Sequence, residues 1–257
     1  MKRLLIAAAL AALGASHAEA ATVLVTGSNR GLGLEFARQY AEKGWTVIAT
    51  ARAPETAKDL KDLAAKYRNV TLEKLDVMDE PGINLLANKY KGKPIDLLIN
   101  NAGVLGDTIG QTLGGFNYAN FQDVMGVNVY GALAVSQAFR DNVIASQQKK
   151  IVAITSGAGV ISTGSLGGNV YFYRASKVAL NMVMKGLASD LRGKGVTVGL
   201  VAPGVADTAM RRELVGERAA NDLKPADAVS AMIKVIDGLT QENSDKPLNF
   251  DGKPLPW

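Results

Sequence analysis

Tyr173 and Lys177 stand four residues apart in the run Tyr173-Arg174-Ala175-Ser176-Lys177. The stretch continues with Val178, Leu180, Met182, Val183, Leu187 and Leu191 at close to helical spacing. On a helix, positions i and i+4 share one face, a turn apart. A cation so placed favours phenolate over phenol. A free tyrosine, with a pKa of about 10, is only about 0.1% ionised at neutral pH. Lowering that pKa by roughly 2–3, equivalent to about 3–4 kcal/mol, makes a usable general acid or base. The same spacing also fits a tyrosine at the edge of a core beside a solvated lysine. What surrounds the pair decides between the two.

The composition removes most rival chemistries. His17 is the only histidine, and cysteine is absent. A Ser-His-Asp triad, a cysteine nucleophile, a thiolate or imidazole zinc site and disulfides are therefore excluded from any chain that begins after His17. No metal site is expected, since the carboxylates show no EF-hand spacing. Asp, Glu, Lys and Tyr remain for acid–base work near neutral pH. The net charge of +5 comes without a Lys/Arg run or an aromatic–basic stripe, so no nucleic-acid partner is expected. The length of 257 residues suits one α/β domain with a sizeable core.

The first 20 residues have a different character. Met1-Lys2-Arg3 is basic, Leu4 to Ala15 is apolar, and Ala18-Glu19-Ala20 is an A-x-A cleavage pattern. Residues 1–20 read as a secretory signal peptide, with residues 21–257 as the functional domain. The apolar stretch is too short for a comfortable membrane span, so none is expected in the mature chain. The expected location is exported, in a periplasm; an early start codon and a cytoplasmic protein is the alternative.

From residue 22 onward, apolar runs alternate with amphipathic stretches. Strands are expected at Thr22–Thr26, Trp45–Thr50, Val70–Leu75, Ile95–Ile99, Ile151–Thr155 and Val196–Val201. Helices are expected at about 31–43, 55–66 and 80–91, as one long element at 120–145, and from Tyr173 to Leu191. Near-continuous apolar strands alternating with helices imply a doubly wound, Rossmann-type parallel sheet in a single domain. The segments 103–118, 157–169 and 205–224 are long connections and candidate site walls.

Between the first strand and first helix lies Thr26-Gly27-Ser28-Asn29-Arg30-Gly31-Leu32-Gly33. Gly27 allows a tight turn, Gly31 a close approach of backbone to a pyrophosphate, and Gly33 close packing of helix on strand. The helix N-terminus adds free N–H groups and a positive dipole end. NAD sites usually place Asp or Glu at the end of the second strand, to bind the ribose 2′-hydroxyl. Here that position reads Thr50-Ala51-Arg52. Arg52 and Arg30 could clamp a 2′-phosphate, which favours NADP over NAD.

With these features in order, the chain resembles the short-chain dehydrogenase/reductase family over about residues 22–257. It is most similar to the branch of C-factor-like and sniffer-like carbonyl reductases. The motifs that carry the resemblance are the Gly loop, Leu75-Asp76-Val77, Asn100-Asn101-Ala102-Gly103, Asn128, Ser156, Tyr173-x-x-x-Lys177, and Pro203-Gly204 followed by Thr208.

The resemblance implies roles. Tyr173 is the proton donor to a carbonyl oxygen, while Lys177 lowers the Tyr173 pKa and holds the nicotinamide ribose. Ser156 hydrogen-bonds the carbonyl oxygen, and Asn128 holds a water in a proton relay. Asp76 and Val77 lie at the adenine, and Asn101, Ala102 and Gly103 at the adenosine ribose. Pro203 and Gly204 also bind the cofactor, and Thr208 contacts its carboxamide or its phosphates. Two departures bear on substrate: 17 positions separate Ser156 from Tyr173, and no Asp follows Thr208.

The leading expectation is thus an NADP(H)-dependent reductase of a small-molecule carbonyl, assembled as a homodimer or homotetramer. An exported NADP-binding signalling or sensor protein with little turnover is the alternative. Phe116, Tyr118, Val160, Leu166, Val205 and Met210 suggest a partly apolar pocket. Tyr171 is expected to serve packing.

Overall fold

The computed structural model describes residues 20–162, 170–217, 219–244 and 246–257. Six strands are short runs rich in β-branched and other apolar residues: β1 (Thr22–Val25), β2 (Thr46–Ala51), β3 (Val70–Lys74), β4 (Leu97–Asn100), β5 (Lys150–Ile154) and β6 (Thr197–Ala202). Such runs suit a sheet buried on both faces. Alternate residues divide between two cores. Val23, Val25, Val47, Ala49, Leu97, Ile99 and Val152 face one side. Leu24, Ile48, Leu98, Ile151 and Ala153 face the other. That is the period-two alternation of a strand, read here as two apolar faces.

The first core is closed by α1 (Gly31–Glu42), α2 (Lys58–Lys66) and α9 (Pro225–Asp237), through Phe36, Tyr40, Leu60, Val229, Met232 and Ile236. The second is closed by α3 (Glu80–Lys89), α5 (Gly131–Ala138), α6 (Arg140–Ile144) and α7 (Tyr171–Arg192), through Ile83, Leu86, Val135, Phe139, Val143, Leu180 and Met184. With β7 (Leu248–Asn249), the sheet order is β3-β2-β1-β4-β5-β6-β7, and every pairing is parallel. The order reverses between β1 and β4, the place where open α/β sheets leave a crevice at their carboxyl edge.

Two differences from the sequence expectation matter. The stretch 120–145 is not one helix. It runs as α4 (Tyr118–Met125), a π-helical turn at Gly126–Tyr130, then α5 and α6. The inserted residue of a π-turn shifts the register of side chains along the helix, and Asn128 sits inside that turn. The chain beyond residue 201 also holds more structure than was read from it: α8 (Ala209–Val215), α9 and β7.

Gly33 shows how tightly α1 meets the sheet. A Cβ there would lie 2.2 Å from the Gly27 carbonyl oxygen and 2.5 Å from Asn101 Nδ2. Neither neighbour is the free end of a flexible side chain, so Gly33→Ala should destabilise the protein by about 1–3 kcal/mol. Thermal unfolding checks this; an unchanged melting temperature would contradict the packing described.

Candidate active site

Every residue singled out by motif follows the carboxyl end of a strand or lies on a helix packed there. Thr26 ends the first strand run and is buried. Its hydroxyl accepts hydrogen bonds from the backbone N–H groups of Asn101 and Ala102, both 3.0 Å. In return, Asn101 Nδ2 donates to the carbonyls of Thr26 (2.9 Å) and Gly27 (3.2 Å). The loops after β1 and β4 are therefore tied together at the point of sheet reversal. Gly27 has φ +68°, and a Cβ on it would meet Ala102 Cα at 2.9 Å.

Gly31 also has a positive φ, +57°, but a Cβ there would meet nothing within 4 Å. Its backbone faces open space. α1 has no side-chain cap and no acid in its first turn. The first bond along the helix is Leu34 N–H to the Arg30 carbonyl, so the amides of Gly31, Leu32 and Gly33 have no acceptor among the described residues. An uncapped helix start with unpaired amides, a positive dipole end and an open glycine fits a bound diphosphate. Asn29, Arg30 and Arg52 stand exposed around it, and neither guanidinium is hydrogen-bonded or ion-paired among the described residues. Arg38, Arg140 and Arg212, by contrast, are paired with carboxylates. Asp76 Oδ1 accepts from Met78 N at 3.0 Å, and the Val77 side chain is buried in the second core.

At the other end of the crevice lie Tyr173 and Lys177. Both are nearly inaccessible, at 9% and 6% exposure. Lys177 Nζ donates to the carbonyl of Ile154 at 3.0 Å and stands 5.6 Å from the centre of the Tyr173 ring. Burial pulls the Lys177 pKa down to about 8. The same burial raises the Tyr173 pKa, and a hydrogen bond with the Ser156 side chain opposes the rise without overcoming it. The sequence led to the expectation of a tyrosine lowered by its lysine. In the protein alone, desolvation of the buried ring decides the direction.

Ser156 also accepts from Ala158 N at 3.1 Å, capping a short 3₁₀ turn at Gly157–Gly159. Asn128 spends its amide on structure: Oδ1 accepts from Val104 N (2.8 Å), and Nδ2 donates to Val104 O and Ser176 Oγ, both 2.9 Å. It thereby binds the loop after β4 to α7. Gly103 lies where a Cβ would be 3.3 Å from Asn128 Oδ1 and 3.8 Å from Lys177 Nζ.

After β6, Pro203 is half-buried and Gly204 has φ +66°; a Cβ on Gly204 would strike the Phe250 ring at 2.6 Å. Thr208 caps α8, its side chain accepting from Arg211 N at 3.2 Å. Met210 and Leu214 of α8 pack against a small apolar cluster of Leu105, Ala158, Val170 and Tyr173. Val160 is buried, whereas Phe116, Tyr118 and Val205 are exposed. Phe116 meets the rings of Tyr171 and Phe172 at 5.3 and 5.5 Å, so Tyr171 does serve packing. Leu166 lies outside the described residues.

Three buried polar residues that hold this arrangement were not singled out from sequence. Ser176 donates to the Tyr173 carbonyl (2.7 Å). Asn181 accepts from Thr155 Oγ1 (2.6 Å), tying α7 to the end of β5. Gln111 accepts from Tyr173 N (2.9 Å). Ser176 lay within the Tyr-Lys run; for the other two, no local pattern marks them.

A family model described as short chain dehydrogenase matches residues 21–219. The chain belongs to this family. It is 35% identical over 164 residues to the C-signal protein of Myxococcus xanthus, covering 64% of this chain and 93% of that one. It is 32% identical over 240 residues to the 1-hydroxy-2-glutathionyl-2-methyl-3-butene dehydrogenase of Rhodococcus sp. (strain AD45), covering 92% and 99%. The NADPH-bound carbonyl reductase from chicken fatty liver superposes with a TM-score of 0.85 at 30% identity, over 93% of this chain and 100% of that one.

Burying Lys177 has a thermodynamic consequence with a definite sign. Its pKa is about 8 folded and about 10.5 unfolded. Between those values the unfolded chain binds more protons, so this lysine's contribution to stability rises with pH. Below pH 8 the full penalty applies, about 3 kcal/mol from the difference in pKa. Lys177→Met removes that penalty and loses one hydrogen bond worth about 1 kcal/mol. The variant should melt higher than wild type at pH 7, and the gap should close toward pH 10. A variant less stable than wild type at pH 7 would contradict the burial penalty.

Proposed function

We propose that this protein is an NADPH-dependent reductase of small carbonyl compounds. The observation that carries the reading is the buried pair Tyr173 and Lys177 with the half-buried Ser156 bonded to the phenol, placed along the same sheet edge as an uncapped, glycine-lined helix start. The residues of that helix start would hold NADPH, whose chemistry when bound would be the donation of a hydride to a carbonyl carbon.

The chain's own residues do the rest. The amides of Gly31, Leu32 and Gly33 bind the diphosphate, and Arg30 and Arg52 hold the 2′-phosphate. Asp76, Val77, Asn101, Ala102 and Gly103 line the adenosine half; Pro203, Gly204 and Thr208 line the nicotinamide half. Ser156 donates a hydrogen bond to the carbonyl oxygen as negative charge grows on it. Tyr173 delivers the proton to that oxygen. Lys177, as a cation one turn along α7, favours the phenolate that is left. Asn128 fixes the loop after β4 against α7, and the second lone pair of its Oδ1, beyond the one that takes the Val104 N–H, would accept from a water in the route by which the proton is replaced. The Leu105, Ala158, Val170, Met210 and Leu214 side chains around Tyr173 suit an apolar carbonyl substrate.

No described helix is long and apolar enough to cross a membrane. We propose further that residues 1–20 are a secretory signal peptide and that the protein works as a homo-oligomer outside the cytoplasm. A native N-terminus at Ala21 in a periplasmic fraction is the expected result; an intact Met1 in the cytoplasm would overturn the export reading.

For the chemistry, NADPH oxidation should be seen with a panel of aldehydes and ketones. Tyr173→Phe should lower turnover by roughly 10²–10⁴-fold and leave NADPH affinity within about threefold. Unchanged turnover in that variant would sink the assignment.

A further inference from the structure

We infer that Gln111 is a positioning residue for Tyr173, coupling residues 105–117 of the crevice wall to the start of α7. The inference rests on the reading of Tyr173 as proton donor.

α7 begins without a side-chain cap of its own, since Val170 occupies the capping position. The first bond along the helix is Arg174 N–H to the Val170 carbonyl. The amide of Tyr173, one residue earlier, therefore has no partner within its own helix. Gln111 supplies one from 62 residues away, through Oε1 at 2.9 Å. Gln111 is wholly buried. Its Nε2 donates to the carbonyls of Leu105 (2.9 Å) and Asp107 (3.3 Å). The single amide thus joins the Tyr173 backbone to the inner turn of the wall, and its bonding capacity is nearly used up.

The wall is braced on its other side by α4. Asn120 Oδ1 accepts from Asp107 N (3.0 Å), and Asn120 Nδ2 donates to Asp107 O (2.8 Å). Gly106 makes room: with φ +79°, a Cβ there would lie 2.5 Å from Asn120 Oδ1 and 3.2 Å from Gln111 Nε2. The outer residues of the same segment, Ile109, Leu113 and Phe116, point to solvent. Leu105 packs against Tyr173 and Phe116 meets the rings of Tyr171 and Phe172, but among the described residues of this wall Gln111 is the one that hydrogen-bonds the backbone of the helix bearing Tyr173 and Lys177. A displacement of the wall is passed through this amide to the height of the phenol, and displacements near 1 Å at a reacting group cost up to about 100-fold in rate.

Two variants separate positioning from packing. Gln111→Met fills a similar volume and removes the acceptor. Gln111→Glu, assayed at a pH low enough to keep the buried carboxyl protonated, keeps an acceptor facing the Tyr173 amide and one O–H donor toward the Leu105 carbonyl, but is a poorer packing residue, since it brings a carboxyl group into a buried site. Turnover, substrate KM and NADPH affinity are measured on the full chain with a carbonyl that wild type reduces, and Tyr173→Phe is run in parallel. The inference predicts that Gln111→Met lowers kcat by roughly 10- to 100-fold, with NADPH affinity within about twofold, and that Gln111→Glu retains more kcat than Gln111→Met. Wild-type kcat in Gln111→Met, or the reverse order of the two variants, overturns it. Retained turnover in Tyr173→Phe overturns instead the reading on which it rests.

Discussion

The Lys177 ammonium is withdrawn from water and set 5.6 Å from the centre of the Tyr173 ring, with the Ile154 carbonyl as its hydrogen-bond acceptor. This is an unfavourable place for a charge, and the surrounding structure exists in large part to make it tenable. The carbonyl at the end of β5 and the face of an aromatic ring offset part of the desolvation. The remainder is carried by packing along the 22-residue α7, whose Leu180, Met184 and Leu191 are buried in the second core. The result is a lysine near pKa 8 beside a phenol raised by the same burial. In water the two groups would sit at almost the same pKa; here one is lowered and the other raised, which is how a fold assigns different tasks to neighbouring titratable groups.

The remainder of the carboxyl edge is organised so that α7 meets a rigid partner. Thr26 and Asn101 lock the loops after β1 and β4 to one another, and Asn128 and Ser176 lock the second of these to α7. The chain of bonds runs from the glycine-lined start of α1, through half-buried Asn101 and Val104, to buried Asn128, Ser176 and the tyrosine backbone. It sets the two ends of the crevice in a fixed relation, a requirement for any reaction that joins a bound dinucleotide to a second reactant.

Much of this could be read from the chain itself. Val23–Val25, Leu97–Ile99 and Ile151–Ile154 are apolar without interruption, their alternation with amphipathic stretches fits a sheet covered on both faces, and the glycines after β1 mark a tight turn. What the sequence hid were consequences of three-dimensional context. A π-turn has no local signature, so 120–145 read as unbroken helix although Asn128 lies in the turn. Gln111 and Asn181 act over 62 and 26 residues, and no spacing rule reaches that far. The net direction of the Tyr173 shift follows from the depth of its burial, which i, i+4 spacing does not show. α9 is a different case: Pro225 at its start and Val229, Met232, Ile233 and Ile236 at helical spacing were visible signals that had not been read.

The central claim is that a hydride from bound NADPH and a proton from this buried pair are delivered across one carbonyl bond. It is tested most directly by reducing a ketone with NADPH deuterated at both C4 positions in ordinary water and locating the label in the product. The account predicts one deuterium on the carbinol carbon of the alcohol. An alcohol without deuterium at that carbon would contradict it.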